Sequence, residues 1–152
     1  MMIVFWDEDG VLLTDYLSRG TTINGPYYAS IIERLRSVIL EKRRGKLRHG
    51  VLLLHDNAPV HKCNIVQTTI RQAGFVELNH PAYSPDIAPS DYHLFSNLKK
   101  FLRGRNFSND SEAIDTIEDY LSDFNSEFFC KGIQSLHDHW QRVVASGGQY
   151  IQ

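Results

Sequence analysis

The hydrophobic pattern at the start of the chain predicts a β-hairpin followed by an amphipathic helix. Residues 2–6 and 11–17 are strand-like runs, and the turn sequence Asp-Glu-Asp-Gly at 7–10 separates them. Apolar residues then recur at helical spacing over 28–39. We therefore expect a helix over about 26–44, with basic residues at its C-terminal end, where the helix dipole favours them.

The middle of the chain predicts two short strands separated by a helix. The VLLL run at 51–54 lacks alternation, so it predicts a strand buried on both faces of a mixed sheet. A helix over about 61–73 and a strand over 75–78 follow. Residues 79–90 hold three of the five prolines, which predicts an irregular loop, and the next helix is expected over 91–103.

The rest of the chain predicts helices, because two apolar stripes at helical spacing cover 114–124 and 133–144. The element order β-β-α-β-α-β-loop-α-α-α is typical of an α/β layered domain with a small mixed sheet. A length of 152 residues suits one domain. An extra strand before Met1 would complete the sheet.

Composition and charge exclude several classes of protein. Hydrophobic residues make up 42% and charged residues 22%, as in ordinary globular domains. The two cysteines, Cys63 and Cys130, are too few for a disulfide framework. No apolar run approaches membrane-spanning length and no targeting segment is visible, so we expect a nucleocytoplasmic protein without membrane contact.

Basic residues are concentrated at two predicted helix ends, although the net charge is only −2. The candidate DNA-contacting residues in these two clusters are Arg43, Arg44, Lys46, Lys99, Lys100 and Arg103. Such clusters suit contact with nucleic-acid phosphates, but a solvated helix end has the same composition. The sequence leaves both alternatives open.

Asp56 is the sharpest chemical feature, since it directly follows the predicted strand at 51–54. The C-terminal ends of parallel strands are where α/β folds place their ligands. His55, Asn57 and His61 lie close to it in sequence and are candidate supporting residues. The alternative is that Asp56 only caps a helix or forms a turn.

Asp91 is the second candidate acid, because it follows the proline-rich loop and opens the next helix. The alternative is an acid favoured in the first helical turn by the helix dipole. Asp86, between Pro85 and Pro89, is a further supporting candidate or an Asx-turn residue. Paired carboxylates on rigid elements suit two divalent cations that activate a water or 3′-hydroxyl and stabilise the leaving oxygen in phosphodiester chemistry.

The blocks around these acids resemble those of mariner-type transposases. The sequence HDNAPVH over 55–61 resembles the second catalytic block, and YSPDIAPSDYHLF over 83–95 resembles the third nearly residue for residue. Thirty-four residues separate Asp56 from Asp91, which is the spacing of the mariner branch. The resemblance extends to the hairpin turn at 6–10 and to the C-terminal helix and tail, so it covers essentially the whole chain.

The resemblance implies an RNase H-like mixed sheet flanked by helices, with a helical C-terminal part. It also implies a nuclear enzyme that cuts transposon ends and joins their 3′-hydroxyls to target DNA, with Mg²⁺ or Mn²⁺ and as a homodimer on paired ends. No small-molecule substrate is expected. Asp56 and Asp91 are then the second and third metal ligands and the catalytic residues.

The same resemblance implies that the family's first strand, with its catalytic Asp, lies upstream of Met1. The N-terminal helix-turn-helix DNA-binding region would also lie outside the chain. We therefore expect residues 1–152 to form a single partial catalytic domain that shows weak or no metal-dependent cleavage by itself. His139 stands where the family more often has Arg.

Two other classes of function compete with this interpretation. The first is a non-catalytic, transposon-derived remnant that binds DNA or protein. The second is a hydrolase of small phosphates that uses His55 and His61, which has little support because no phosphate-cradling glycine loop accompanies them.

Overall fold

A computed structural model of the chain describes residues 1–18, 20–56, 58–78 and 88–145. The chain divides into two compact units. The first contains Met1–Phe5 and the described part of Leu12–Tyr83. The second contains Trp6–Val11 and the described part of Ser84–Gln152. None of the helices in the described ranges is long and apolar enough to cross a bilayer.

The predicted hairpin is confirmed as β1 (Met2–Asp7) and β2 (Gly10–Tyr16). Its turn is closed by the Asp7 carboxylate, whose Oδ1 accepts hydrogen bonds from the backbone N–H groups of Asp9 and Gly10 at 3.0 and 3.2 Å. Gly10 has a φ of 142°, which a residue with a side chain rarely adopts. The Asp-x-x-Gly sequence therefore forms this turn through hydrogen bonds and a backbone conformation that involve only its own residues.

The first unit is built around α1 (Gly25–Lys42), which agrees with the predicted helix. Asn24 caps it by accepting a hydrogen bond from the Tyr27 N–H at 2.9 Å. The inward face of α1 contributes Ile32, Leu35 and Ile39 to the core of this unit.

The strands β3 (Val51–Leu53) and β4 (Phe75–Glu77) pair in parallel, with Leu53 opposite Glu77. Between them, a 3₁₀ turn (Pro59–Lys62) precedes α2 (Asn64–Gln72). The predicted helix over 61–73 is thus shorter, because Cys63 is extended, with φ −69° and ψ 155°.

One expectation for β3 is wrong. The strand is not buried on both faces, since Leu52 is 65% exposed and its neighbour on β4, Val76, is 55% exposed. Leu53 and Phe75 face the core instead. In the described ranges the four strands form two sheets of two strands. The exposure of Leu52 and Val76 shows that their face of the β3–β4 pair is open to solvent.

In the second unit, the regular secondary structure of the described residues outside the hairpin turn is helical. A π-helical turn (Ser90–Phe95) leads into α3 (Ser96–Leu102), followed by α4 (Asp110–Ser122), α5 (Ser126–Gln134) and α6 (Leu136–Ala145).

The predicted stripe over 133–144 is divided between two helices, because α5 ends at Gln134. Ser135 donates its hydroxyl to the Gly132 carbonyl at 2.9 Å, the kind of side-chain to backbone bond that competes with helix continuation. Val144, expected to face inward, is 74% exposed.

Candidate active site

Asp56 lies just beyond the C-terminal end of β3, as predicted, and its side chain is 69% exposed. Its Oδ1 accepts a hydrogen bond from the Ala58 N–H at 3.2 Å and lies 3.0 Å from His61 Nδ1. The hydrogen bond with His61 lowers the pKa of Asp56, and the Ala58 N–H adds to this against the opposing effect of partial burial. Asp56 is therefore an ionised carboxylate with one oxygen held from within the unit.

His61 is confirmed as a neighbour of Asp56 in space. Its Nδ1 is also 2.9 Å from the Asp56 carbonyl oxygen, so a proton on Nδ1 is shared between the backbone and side-chain oxygens of one residue. Its ring is stacked on His55 with centroids 4.2 Å apart and lies 4.3 Å from the ring of Tyr28. These contacts hold the His61 ring in place, and its Nδ1 in turn holds Oδ1 of Asp56.

His55, the residue before Asp56, is buried, with only 7% of its side chain exposed. Its Nδ1 is 2.8 Å from the Tyr28 hydroxyl, and its Nε2 is 2.5 Å from Glu77 Oε1. Glu77 can only accept when ionised, so Nε2 carries the proton and the tyrosine hydroxyl donates to Nδ1.

The close contact with Glu77 suggests a charged histidine, but burial is the largest effect on the pKa of His55 and, together with His61, leaves that pKa lowered. We therefore assign a neutral imidazole that donates to a carboxylate. Burial likewise raises the pKa of Tyr28, which keeps its hydroxyl protonated as a donor.

Glu77 completes this network from β4. Its Oε2 accepts from the Gln67 side-chain amide at 3.0 Å, and the same amide nitrogen is 2.7 Å from the His61 carbonyl oxygen. Burial acts to raise the pKa of Glu77, but the hydrogen bonds from His55 and Gln67, together with the charge interactions with His55 and His61, leave the net pKa lowered. The result is a connected set of polar groups behind Asp56, which we call the Asp56 support network: Tyr28, His55, His61, Gln67 and Glu77.

Sequence reasoning missed three members of the support network. The sequence pattern places Tyr28 only on the apolar stripe of the predicted helix, and it does not single out Gln67 or Glu77. A signal existed for Glu77, because a charged residue at the end of a second short strand lies beside the first strand's end when the two strands are parallel.

Asp91 belongs to the second unit and is exposed on the π-helical turn. Its backbone N–H donates to the Ala88 carbonyl at 2.9 Å, and the Tyr92 N–H shares that acceptor at 3.1 Å. The predicted position at the start of a helix is thus confirmed, with π rather than α geometry in the first turn. Asn57 and Asp86 lie outside the described residues.

The predicted DNA-contacting residues fall into one group in each unit. Arg43 is the C-cap residue of α1, and Arg44 and Lys46 follow it. Lys99 and Lys100 lie near the end of α3, and Arg103 is its C-cap residue. All six are exposed except Arg43, which is half-buried. Contact with DNA stays a prediction for both groups.

The donor chemistry of Asp56 fits a hard divalent cation, which prefers carboxylate oxygens. Both of its side-chain hydrogen bonds are to Oδ1, so Oδ2 has no partner within the described ranges. Over those ranges, no group of three or more His, Cys, Asp or Glu side chains is arranged to hold a metal ion.

The fold and Asp56 at a parallel strand end define an RNase H-like domain of the kind found in DDE transposases. The family described as "Transposase (partial DDE domain)" matches residues 1–49. The mariner Mos1 transposase of Drosophila mauritiana is 36% identical over 154 residues, covering 100% of the chain and 45% of that protein. The human histone-lysine N-methyltransferase SETMAR is 31% identical over 152 residues, covering 99% of the chain and 22% of that protein.

Solved structures agree with these sequence matches. The Mos1 transposase catalytic domain with Raltegravir and Mn has a TM-score of 0.95 at 35% identity, covering 99% of this chain and 76% of that one. A pre-cleavage Mos1 transpososome has a TM-score of 0.95 at 33% identity, covering 99% and 45%. The chain belongs to the mariner family of transposases, and it spans less than half the length of either relative named above.

Proposed function

We propose that this chain acts as part of the catalytic domain of a mariner-type transposase, in which Asp56 and Asp91 are carboxylate ligands of Mg²⁺ or Mn²⁺. The observation that carries the proposal is the state of Asp56. It is an ionised carboxylate at a parallel strand end, with Oδ1 held internally and 69% of the side chain exposed. The Mos1 catalytic domains that this chain resembles were solved with Mn and with Mg.

The reaction proposed is cleavage of DNA at transposon ends followed by joining of the ends to target DNA. A bound divalent ion supplies Lewis-acid activation of the attacking oxygen and stabilises the leaving oxygen. This chain's own contribution is positional, because His61 and the Ala58 N–H fix one oxygen of Asp56. The support network then fixes His61 by ring stacking and by the bond from Gln67 to its carbonyl.

The proposed partners are DNA and a second copy of the protein. Mos1 structures include a paired-end complex and a strand transfer complex, which supports both partners for this chain. A nuclear location follows from a chromosomal DNA substrate.

For the 152-residue polypeptide we expect metal binding at Asp56 and Asp91. The binding is the direct test of the proposal. It is measured by titrating Mn²⁺ into ¹⁵N-labelled protein and following the paramagnetic broadening of backbone amides.

We expect selective broadening of the backbone amides around positions 56 and 91. Asp56→Asn should remove the broadening around position 56, and Asp91→Asn should remove the broadening around position 91. The matched control is Asp115→Asn, an exposed acid on α4, which should leave the broadening unchanged. If Asp56→Asn broadens like the unsubstituted chain, Asp56 is not a ligand and the proposal is wrong. Plasmid nicking that requires Mn²⁺ and is lost in both Asn variants would contradict only the expectation of weak cleavage.

A second candidate function is that of a non-catalytic, transposon-derived DNA-binding module. It is favoured by the match to a relative named as a histone methyltransferase, of which the chain covers 22%. This module would bind DNA equally well in the Asp56→Asn and Asp91→Asn variants. Its binding would weaken, with a shallower salt dependence, when the basic residues of either group are replaced. Fluorescence anisotropy with a labelled duplex at several salt concentrations separates the two candidates.

A further inference from the structure

The exposed carboxylate of Asp91 lies on an unusual piece of backbone. Residues Ser90–Phe95 form a π-helical turn before the chain continues as α3. Such turns are rare and occur frequently at functional sites, and unusual backbone conformations persist where the surroundings over-determine them. Side chains next to Asp91 should therefore make contacts that hold this turn.

The residue before Asp91 is held by a tryptophan from the end of β1. The Trp6 indole N–H donates to the Ser90 hydroxyl at 3.0 Å. The same indole is stacked against His93 with ring centroids 6.3 Å apart, and its centroid lies 5.9 Å from that of Phe129. One side chain thus contacts the turn on both sides of Asp91.

The residue after Asp91 is held by α5 and α6. The Tyr92 hydroxyl donates to the Gly132 carbonyl at 2.6 Å, and the Ser135 hydroxyl lies 3.3 Å from the tyrosine oxygen. The Tyr92 ring is stacked on His139, with centroids 3.9 Å apart and planes 12° apart. The phenol is therefore held at its hydroxyl and across its face.

The next residue, His93, is also held by α5. Its Nε2 donates to the Phe128 carbonyl at 2.8 Å. The ring lies so close to Gly132 that a Cβ there would come within 2.3 Å of His93 Cδ2. The absence of a side chain at Gly132 is what allows this approach.

The side chains of Ser90, Tyr92 and His93 thus contact β1 or α5 on both sides of the exposed Asp91 in the sequence. A metal ligand needs its backbone held to within about 0.5 Å, which contacts of this kind provide. We propose that Trp6, Tyr92 and His93 are positioning residues that fix the Asp91 carboxylate for a divalent cation. This inference rests on the proposed function, and it assigns the role to side chains that do not themselves touch the ion.

The test measures Mn²⁺ affinity of the full 152-residue chain by the loss of the free-ion electron paramagnetic resonance signal. Trp6→Phe removes the indole N–H but keeps an aromatic ring, and Tyr92→Phe removes only the hydroxyl. We expect each to weaken Mn²⁺ binding about tenfold, the scale of lost support behind a metal ligand. The matched control is Tyr120→Phe in α4, whose hydroxyl makes only a 3.4 Å contact with the Asn97 carbonyl, and it should bind like the unsubstituted chain.

A general loss of stability is separated from positioning by repeating the substitutions in an Asp91→Asn background. A positioning role predicts that Trp6→Phe and Tyr92→Phe have no further effect on Mn²⁺ affinity there, because the ligand is already gone. Equal weakening in both backgrounds would overturn the inference, as would unchanged affinity in both single variants while Asp91→Asn binds poorly. If Asp91→Asn binds Mn²⁺ as well as the unsubstituted chain, the proposed function fails and the positioning role fails with it.

Discussion

Replacing Glu77 with alanine should destabilise the fold, although Glu77 is a charged residue with 29% of its side chain exposed. The substitution removes the acceptor for His55 Nε2 and one acceptor for the Gln67 amide. Gln67 keeps a bond to the His61 carbonyl, so it is not left unpaired. His55 is 7% exposed and its other nitrogen is already paired with Tyr28, so its Nε2–H becomes a buried donor without a partner.

The cost follows from this orphaned donor. A buried polar group left without a partner costs about 1–3 kcal/mol. No ion-pair energy adds to this cost, because burial keeps His55 neutral and solvent screens the exposed part of Glu77. Glu77→Gln should recover most of the loss, since its amide oxygen can still accept from His55.

Urea unfolding at pH 7, followed by circular dichroism, measures this cost. Glu41→Ala is the control, because Glu41 is an exposed acid near the end of α1 and surface substitutions change stability by about 0.5 kcal/mol or less. A Glu77→Ala chain as stable as the Glu41→Ala chain would show that His55 does not depend on Glu77. The network described behind Asp56 would then be incorrect.

Three further predictions concern stability. Because burial lowers the pKa of His55, the unfolded chain binds more protons than the folded one just below the ordinary histidine pKa of about 6.5. The unfolding free energy should therefore fall as the pH drops through that range, and in His55→Gln this fall should be smaller when measured by urea titrations at several pH values. Gly132→Ala should lower the unfolding free energy by about 1–3 kcal/mol through overpacking against His93, and a thermal midpoint equal to that of the unsubstituted chain would refute the close contact. Ile70→Ala, at 2% exposure, should cost about 2–5 kcal/mol, whereas Ile65→Ala on the same helix, at 47% exposure, should cost clearly less in the same urea assay.

Several elements follow from neighbouring residues alone, and the sequence predicted them. The Asp-x-x-Gly turn of the hairpin is closed by hydrogen bonds from residues two and three positions away. Likewise α1 begins after Asn24, whose side chain caps the helix by accepting a hydrogen bond from the backbone N–H three positions along. Asp56 at a strand end and Asp91 at a helix start were placed correctly, since strand ends and helix starts are readable from local pattern and turn chemistry.

Contacts that are distant in sequence account for what was missed. His55 is paired with Glu77 across 22 positions, and Tyr92 with Gly132 across 40. The outward face of β3 could not be deduced from an unbroken apolar run, because the run does not say which neighbours cover it. The break between α5 and α6 depends in part on Ser135, whose hydroxyl also contacts Tyr92, 43 positions away.

The sequence by itself therefore determined the family, the element types and the two candidate acids, because motif spacing, hydrophobic period and turn residues are properties of short segments. Only the tertiary structure decided how those acids are held. Glu77 on β4 bonds to His55 and Gln67 in the Asp56 support network, and Tyr92 and His93 bond to α5. These hydrogen bonds join residues whose proximity arises from packing. A buried donor or acceptor must find its partner wherever the fold brings one, and that location is not encoded in the local pattern.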